Sequence, residues 1–192
     1  SIPARWTGRI RAIAVAAGDL ERSMLRIAGV VEESIVDGPG LRFVLFVQGC
    51  PIHCPGCQNP HTWDPAGGSE VSCQKVLDSI LRDPLVHGVT LSGGEPFEQA
   101  MALLPLAQAL KQRGYHLMAF SGHRLEDLLK RPECRPLLEL LDMLVDGPFV
   151  EAEKSLELRF RGSRNQRVLD MDATRASGWQ AVLDPLHENV GR

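Results

Sequence analysis

The chain has 192 residues, the size of one ordinary domain, and with 44% hydrophobic and 23% charged residues its composition is globular rather than disordered or collagen-like. The 21 Lys and Arg against 24 Asp and Glu leave a net charge of −3, which argues against a general nucleic-acid or membrane-surface binder. Six Phe, three Trp and one Tyr make the core mostly aliphatic. The five cysteines are an odd number: Cys50, Cys54 and Cys57 fall within eight residues, while Cys73 and Cys134 stand alone. That is the pattern of a reduced, cytoplasmic chain with one metal or redox cluster, not of a disulfide scaffold.

In chain order, residues 1–24 carry Arg5, Arg9, Arg11 and Arg22 around an apolar stretch. They lack the Ser richness and cleavage site of a targeting segment, and they read as an N-terminal extension outside the core, with Met24 a candidate original start. The core is expected over 25–172 and a loosely held polar tail over 173–192. No window approaches about 18 uninterrupted apolar residues, so no membrane span is expected. Residues 41–47 (Leu-Arg-Phe-Val-Leu-Phe-Val) read as a strand covered on both faces. A helix is expected over 71–81, with Ser69 as its N-cap, and a second strand over 86–91. The stretch 97–113 is helical in composition, kinked or divided by Pro105 and stopped by Gly114. A third strand follows over 115–120, a short helix over 125–130 and a fourth strand over 143–145. Strands separated by helices imply right-handed crossovers and a parallel sheet.

The position of the polar segments is informative. The first strand runs into Gln48-Gly49-Cys50, the second into Ser92-Gly93-Gly94-Glu95-Pro96, the third into Ser121-Gly122-His123 and the fourth into Asp146-Gly147-Pro148. In parallel α/β sheets the carboxyl edge is where ligands bind, so a composite site is expected there.

Cys50-Pro51-Ile52-His53-Cys54-Pro55-Gly56-Cys57 has C-x3-C-x2-C spacing. Three thiolates on a Pro/Gly loop can converge on one soft metal centre. From spacing alone an iron–sulfur centre, a zinc site and a dithiol redox pair all remain open; zinc usually wants four closed ligands, and a redox pair leaves Cys50 unexplained. The six histidines show no ligand spacing, and Cys73 and Cys134 read as bystanders.

This spacing directly after the first strand resembles the signature of the radical S-adenosylmethionine (SAM) enzymes. The resemblance implies that Cys50, Cys54 and Cys57 hold three irons of a 4Fe–4S cluster whose fourth iron chelates SAM. Asp37-Gly38-Pro39-Gly40-Leu41-Arg42 and Phe46-Val47-Gln48-Gly49-Cys50 are similar to the lead-in of the glycyl-radical-enzyme activases. Asn59-Pro60, Thr62-Trp63, 144–149 (Leu-Val-Asp-Gly-Pro-Phe) and 161–166 (Arg-Gly-Ser-Arg-Asn-Gln) resemble the subgroup acting on the anaerobic (class III) ribonucleoside-triphosphate reductase. Two positions depart from that pattern: Gln58 stands where many members have Tyr, and Phe120-Ser121-Gly122-His123 replaces an aromatic-Thr-Gly-aromatic segment.

The resemblance implies a partial (βα) barrel of parallel strands, smaller than a full eight-unit barrel. It places Gly56, Cys57 and Gln58, the Gly93-Gly94-Glu95 segment, Ser121 and Asp146 around SAM. It implies reductive SAM cleavage to a 5′-deoxyadenosyl radical that takes hydrogen from a glycine of the reductase, with an electron donor such as flavodoxin or ferredoxin. A target that is another glycyl radical enzyme or a small molecule is the alternative, followed by a non-catalytic iron–sulfur or zinc module. Arg159, Arg161, Arg164 and Arg167 form a basic stretch read either as a solvated face or as a docking or SAM contact.

Overall fold

The computed structural model describes residues 15–185 except Ala17. Its elements in chain order are α1 (Asp19–Arg22), β1 (Met24–Ser34), β2 (Arg42–Val47), β3 (Ser69–Ser72), α2 (Cys73–Leu81), β4 (Gly88–Gly93), α3 (Ala100–Gln112), β5 (His116–Phe120), α4 (Leu125–Leu128), α5 (Arg135–Leu138), β6 (Met143–Asp146), β7 (Arg167–Asp170) and α6 (Met171–Ala176). They build one seven-stranded sheet in the order β3-β1-β2-β4-β5-β6-β7. The four expected strands are its parallel centre, β2, β4, β5 and β6. The edges β3 and β7 do not meet, so the sheet is an open, partial barrel.

Three strands are antiparallel additions to the expected set: β1 pairs with β2, β3 pairs with the far side of β1 at the sheet edge, and β7 pairs with β6. β1 escaped the sequence pattern for a physical reason. Its pairing with β2 slips between Ile27 and Gly29 and again between Val31 and Ser34, which destroys the two-residue alternation that marks a strand. The expected helix over 71–81 is corrected at its start. Ser69 to Ser72 pair with β1, and Ser72 is the cap, its hydroxyl accepting from the Lys75 N–H at 3.1 Å. Pro105 does not divide α3, because the bond it removes is to the carbonyl of Met101, on the exposed side of the helix.

Phe43, Leu45, Val47, Val89, Leu91, Leu117 and Leu144 pack against Val76, Leu77 and Ile80 of α2 and Leu103, Leu106 and Leu110 of α3. The opposite face carries a smaller group, Met118, Met143, Val145 and Val168. On that face Arg42 is buried and donates to Thr90 Oγ1 (2.9 Å) and to the carbonyls of Pro39 (2.8 Å) and Val89 (3.0 Å). Burial pulls its pKa down to about 10, so it stays charged at neutral pH. Within the segment read as an extension, Leu20 packs on the core and the Ser23 hydroxyl donates to Ala102 O at 2.6 Å; residues 1–14 lie outside the described residues. Within the expected tail, Trp179 and Ala181 pack on the core, and residues 186–192 lie outside the described residues. No helix of the described residues is long and apolar enough to cross a membrane.

Candidate active site

β2 delivers the cysteine loop, and the loop's two ends are tied side by side. Gly49 N–H donates to Thr62 O (2.6 Å) and Cys50 N–H to Trp63 O (3.1 Å). The Gln48 amide donates to the carbonyls of His61 (3.0 Å) and Asp64 (2.8 Å), and the Gln99 amide donates to Gln48 O (3.0 Å). Inside the loop, Cys57 N–H closes a turn onto Cys54 O at 3.0 Å, with Gly56 at φ +75°. The thiols of Cys50, Cys54 and Cys57 are half-buried and unpaired. Asn59 N–H points at Cys57 Sγ (3.4 Å); burial pushes the Cys50 thiol up, and the N–H groups of Ile52 and His53 oppose that. Cys73 and Cys134 are fully buried, and the Cys73 thiol donates to Ala102 O at 3.2 Å.

The other three strand ends close around this loop. A Cβ on Gly94 would lie 2.4 Å from Gly49 O, and one on Gly93 2.6 Å from Val47 N. Gly94 N–H donates to Val47 O and Glu95 N–H to Gly49 O, both at 2.8 Å. The glycine pair therefore lets β4 press against β2 just before Cys50, a need distinct from ligand approach. A Cβ on Gly122, after β5, would lie 2.4 Å from Ile52 Cδ1 of the cysteine loop. One on Gly56 would lie 2.9 Å from the Glu151 carboxyl carbon, in the segment after β6.

Glu95 is buried, and its carboxylate accepts from Phe97 N–H (3.0 Å), Ser121 Oγ–H (2.9 Å) and Gly122 N–H (2.8 Å). Desolvation pushes its carboxyl up, and these donors oppose the shift. Ser121 is buried beside it, and its Oγ accepts from His123 N–H at 3.0 Å. Asp146 is buried too; it accepts from Leu125 N–H (2.8 Å) at the start of α4 and pairs with Arg167, whose Nε lies 2.9 Å away. Gln58 is exposed.

Sequence reasoning missed the supporting side chains. Arg167 leaves the basic stretch to join Asp146 to Glu126 (3.0 and 2.8 Å), whereas Arg159 and Arg164 are exposed. Gln99, which ties Arg26 to Gln48, carried no signal. His53 lies flat on Trp63, a pairing of residues ten apart that no ligand spacing reveals.

Residues 36–169 match a family model described as a 4Fe-4S single cluster domain. The anaerobic ribonucleoside-triphosphate reductase-activating protein of Salmonella typhi is 37% identical over 143 residues, 70% of this chain and 91% of that protein. The chain belongs to the radical SAM glycyl-radical activases. The equivalent protein of Escherichia coli K12 is 35% identical with the same coverage. The pyruvate formate-lyase-activating enzyme of Clostridium pasteurianum is 36% identical over 62% of this chain but only 52% of that enzyme. QueE from Escherichia coli matches at TM-score 0.44 and 22% identity over 54% of each chain.

The cofactors of such an activase are a 4Fe–4S cluster and SAM, and the donor set here fits the cluster. Three unpaired thiols share one loop, with backbone N–H groups directed at two of the sulfurs, as thiolates holding a cluster require.

Proposed function

We propose that this protein reductively cleaves SAM at a 4Fe–4S cluster held by Cys50, Cys54 and Cys57, and so generates a glycyl radical on the anaerobic ribonucleoside-triphosphate reductase. The observation that supports it is the meeting of the free-thiol loop with the ends of β4 and β5, through Gly49–Gly94 and Ile52–Gly122, in a chain of this family. When bound, the cluster and SAM supply one-electron cleavage of a sulfonium, so no acid–base pair is needed from the protein.

The chain's own residues orient and shield. Backbone groups of Gly93 and Gly94 would hold the ammonium group of SAM, and Gly56, Cys57 and Gln58 would border the same pocket. Glu95, with three donors already on its carboxylate, acts by fixing Ser121 and Gly122 beside it. Asp146 fixes the end of β6 through Leu125 and Arg167. Near-attack placement and exclusion of water are the contributions such a scaffold can make. The open sheet suits a macromolecular substrate, because a loop of the partner can enter from the unclosed side. Each turnover consumes one electron, so a donor such as flavodoxin or ferredoxin is required; the reaction belongs to the cytoplasm.

The test is anaerobic reconstitution with iron and sulfide, followed by electron paramagnetic resonance. The expected result is a reduced-cluster signal altered by SAM, then a glycyl radical on added reductase. No SAM-sensitive signal refutes the enzymatic reading. SAM cleavage without a radical on the reductase moves the target to another protein or a small molecule.

A further inference from the structure

Between the first two cysteines the backbone is strained. His53 has φ +51°, the left-handed region that non-glycine residues rarely enter. Its imidazole lies on the Trp63 indole with ring centroids 4.4 Å apart and planes 8° from parallel. Trp63 also holds the loop through its backbone, its carbonyl accepting the Cys50 N–H at 3.1 Å. The indole Nε1 is buried without a hydrogen-bond partner among the described residues, so the loop uses the face of this ring and not its polar atom. One residue thus grips both sides of the Cys50–Cys54 arm: Cys50 by a hydrogen bond, and the residue beside Cys54 by stacking.

We propose that His53 is a positioning residue whose ring, clamped on Trp63, holds Cys50 and Cys54 in the curvature that cluster ligation uses. The work is done by a flat ring and does not depend on imidazole chemistry. The inference rests on the reading of Cys50, Cys54 and Cys57 as cluster ligands. His53 is solvent-exposed, so its substitutions leave the core intact.

Three forms of the full chain, wild type, His53→Gly and His53→Phe, are reconstituted anaerobically, and iron loss to an excess of a ferrous chelator is timed. Glycine removes the ring yet relaxes the left-handed backbone, whereas phenylalanine keeps a ring. The clamp predicts that wild type and His53→Phe release iron at similar rates, and that His53→Gly releases it about three- to tenfold faster, the range of one aromatic stack. If His53→Gly holds iron as long as wild type, the backbone alone shapes the arm and the clamp is refuted. A His53→Phe chain as leaky as His53→Gly would refute it equally, by showing that imidazole chemistry is needed. A wild-type chain that takes up no cluster overturns the ligand assignment itself, and the clamp with it.

Discussion

Gly94→Ala would put a methyl carbon 2.4 Å from the Gly49 carbonyl oxygen and 2.9 Å from its carbonyl carbon. Both are backbone atoms, so no rotamer relieves the clash, and β4 must move away from β2. The movement stretches two hydrogen bonds, Gly94 N–H to Val47 O and Glu95 N–H to Gly49 O. At about 1 kcal/mol net each, with about 1–3 kcal/mol for overpacking, the cost is about 3–5 kcal/mol. For a domain of this size that lowers the melting temperature by about 6–20 °C. Gly49 precedes Cys50, so the displacement also moves the first of the proposed ligands and is expected to lower the iron bound after reconstitution. Gly29→Ala is the matched control: its Cβ meets nothing within 4 Å and its φ is not positive, so the expected change is within about 0.5 kcal/mol. Scanning calorimetry of the metal-free proteins and iron analysis of the reconstituted ones read both effects. A Gly94→Ala protein that melts with wild type and takes up its full iron would refute the close-approach argument.

The remaining predictions are more compact. Cys50→Ala, Cys54→Ala and Cys57→Ala each abolish methionine release from SAM, whereas Cys73→Ala, whose thiol faces Ala102, does not; a folded but inactive Cys73→Ala would show the ligand set to be wrong. Arg167→Leu leaves the buried Asp146 carboxylate without its cation and costs about 3 kcal/mol in urea unfolding at pH 7. Arg167 holds the Glu126 carboxyl below its usual 4.5, so that contribution is present above pH 4.5 and fades as the pH falls through the folded value. The gap between wild type and Arg167→Leu should therefore narrow in acid; a gap that widens there would contradict the assigned pairing. The metal-free chain should unfold in one cooperative transition, because its loop ends are tied by protein hydrogen bonds; the absence of a transition by near-ultraviolet circular dichroism would count against this.

The parts legible in sequence were those with a local signature. A buried parallel strand is a continuous apolar run, so β2, β4, β5 and β6 could be read with shifts of a residue or two at their ends. The cysteine loop was legible because three thiols in eight residues have few structural uses. β1 was hidden by its two register slips and β3 by its length of four residues. The glycines of the second segment were noticed, but their closest constraint is a long-range contact with Gly49 that no local pattern contains. Glu95, Ser121 and Asp146 were picked out by position, yet their hydrogen-bond partners lie 21 to 27 residues away for the contacts that cross between strand ends. Such pairings are products of topology and are invisible to a linear reading.

The ties between residues 48–50 and residues 61–64 have a consequence for how the protein meets oxygen. On the proposed ligand assignment, the cysteine loop is closed by these hydrogen bonds, so the entropy of bringing its ends together is lost in folding and not in iron binding. A zinc finger, by contrast, unravels when its metal leaves. Here oxidative destruction of the cluster would leave an intact receptacle rather than a denatured chain, and recovery becomes a matter of resupplying iron and sulfide, with no second folding event.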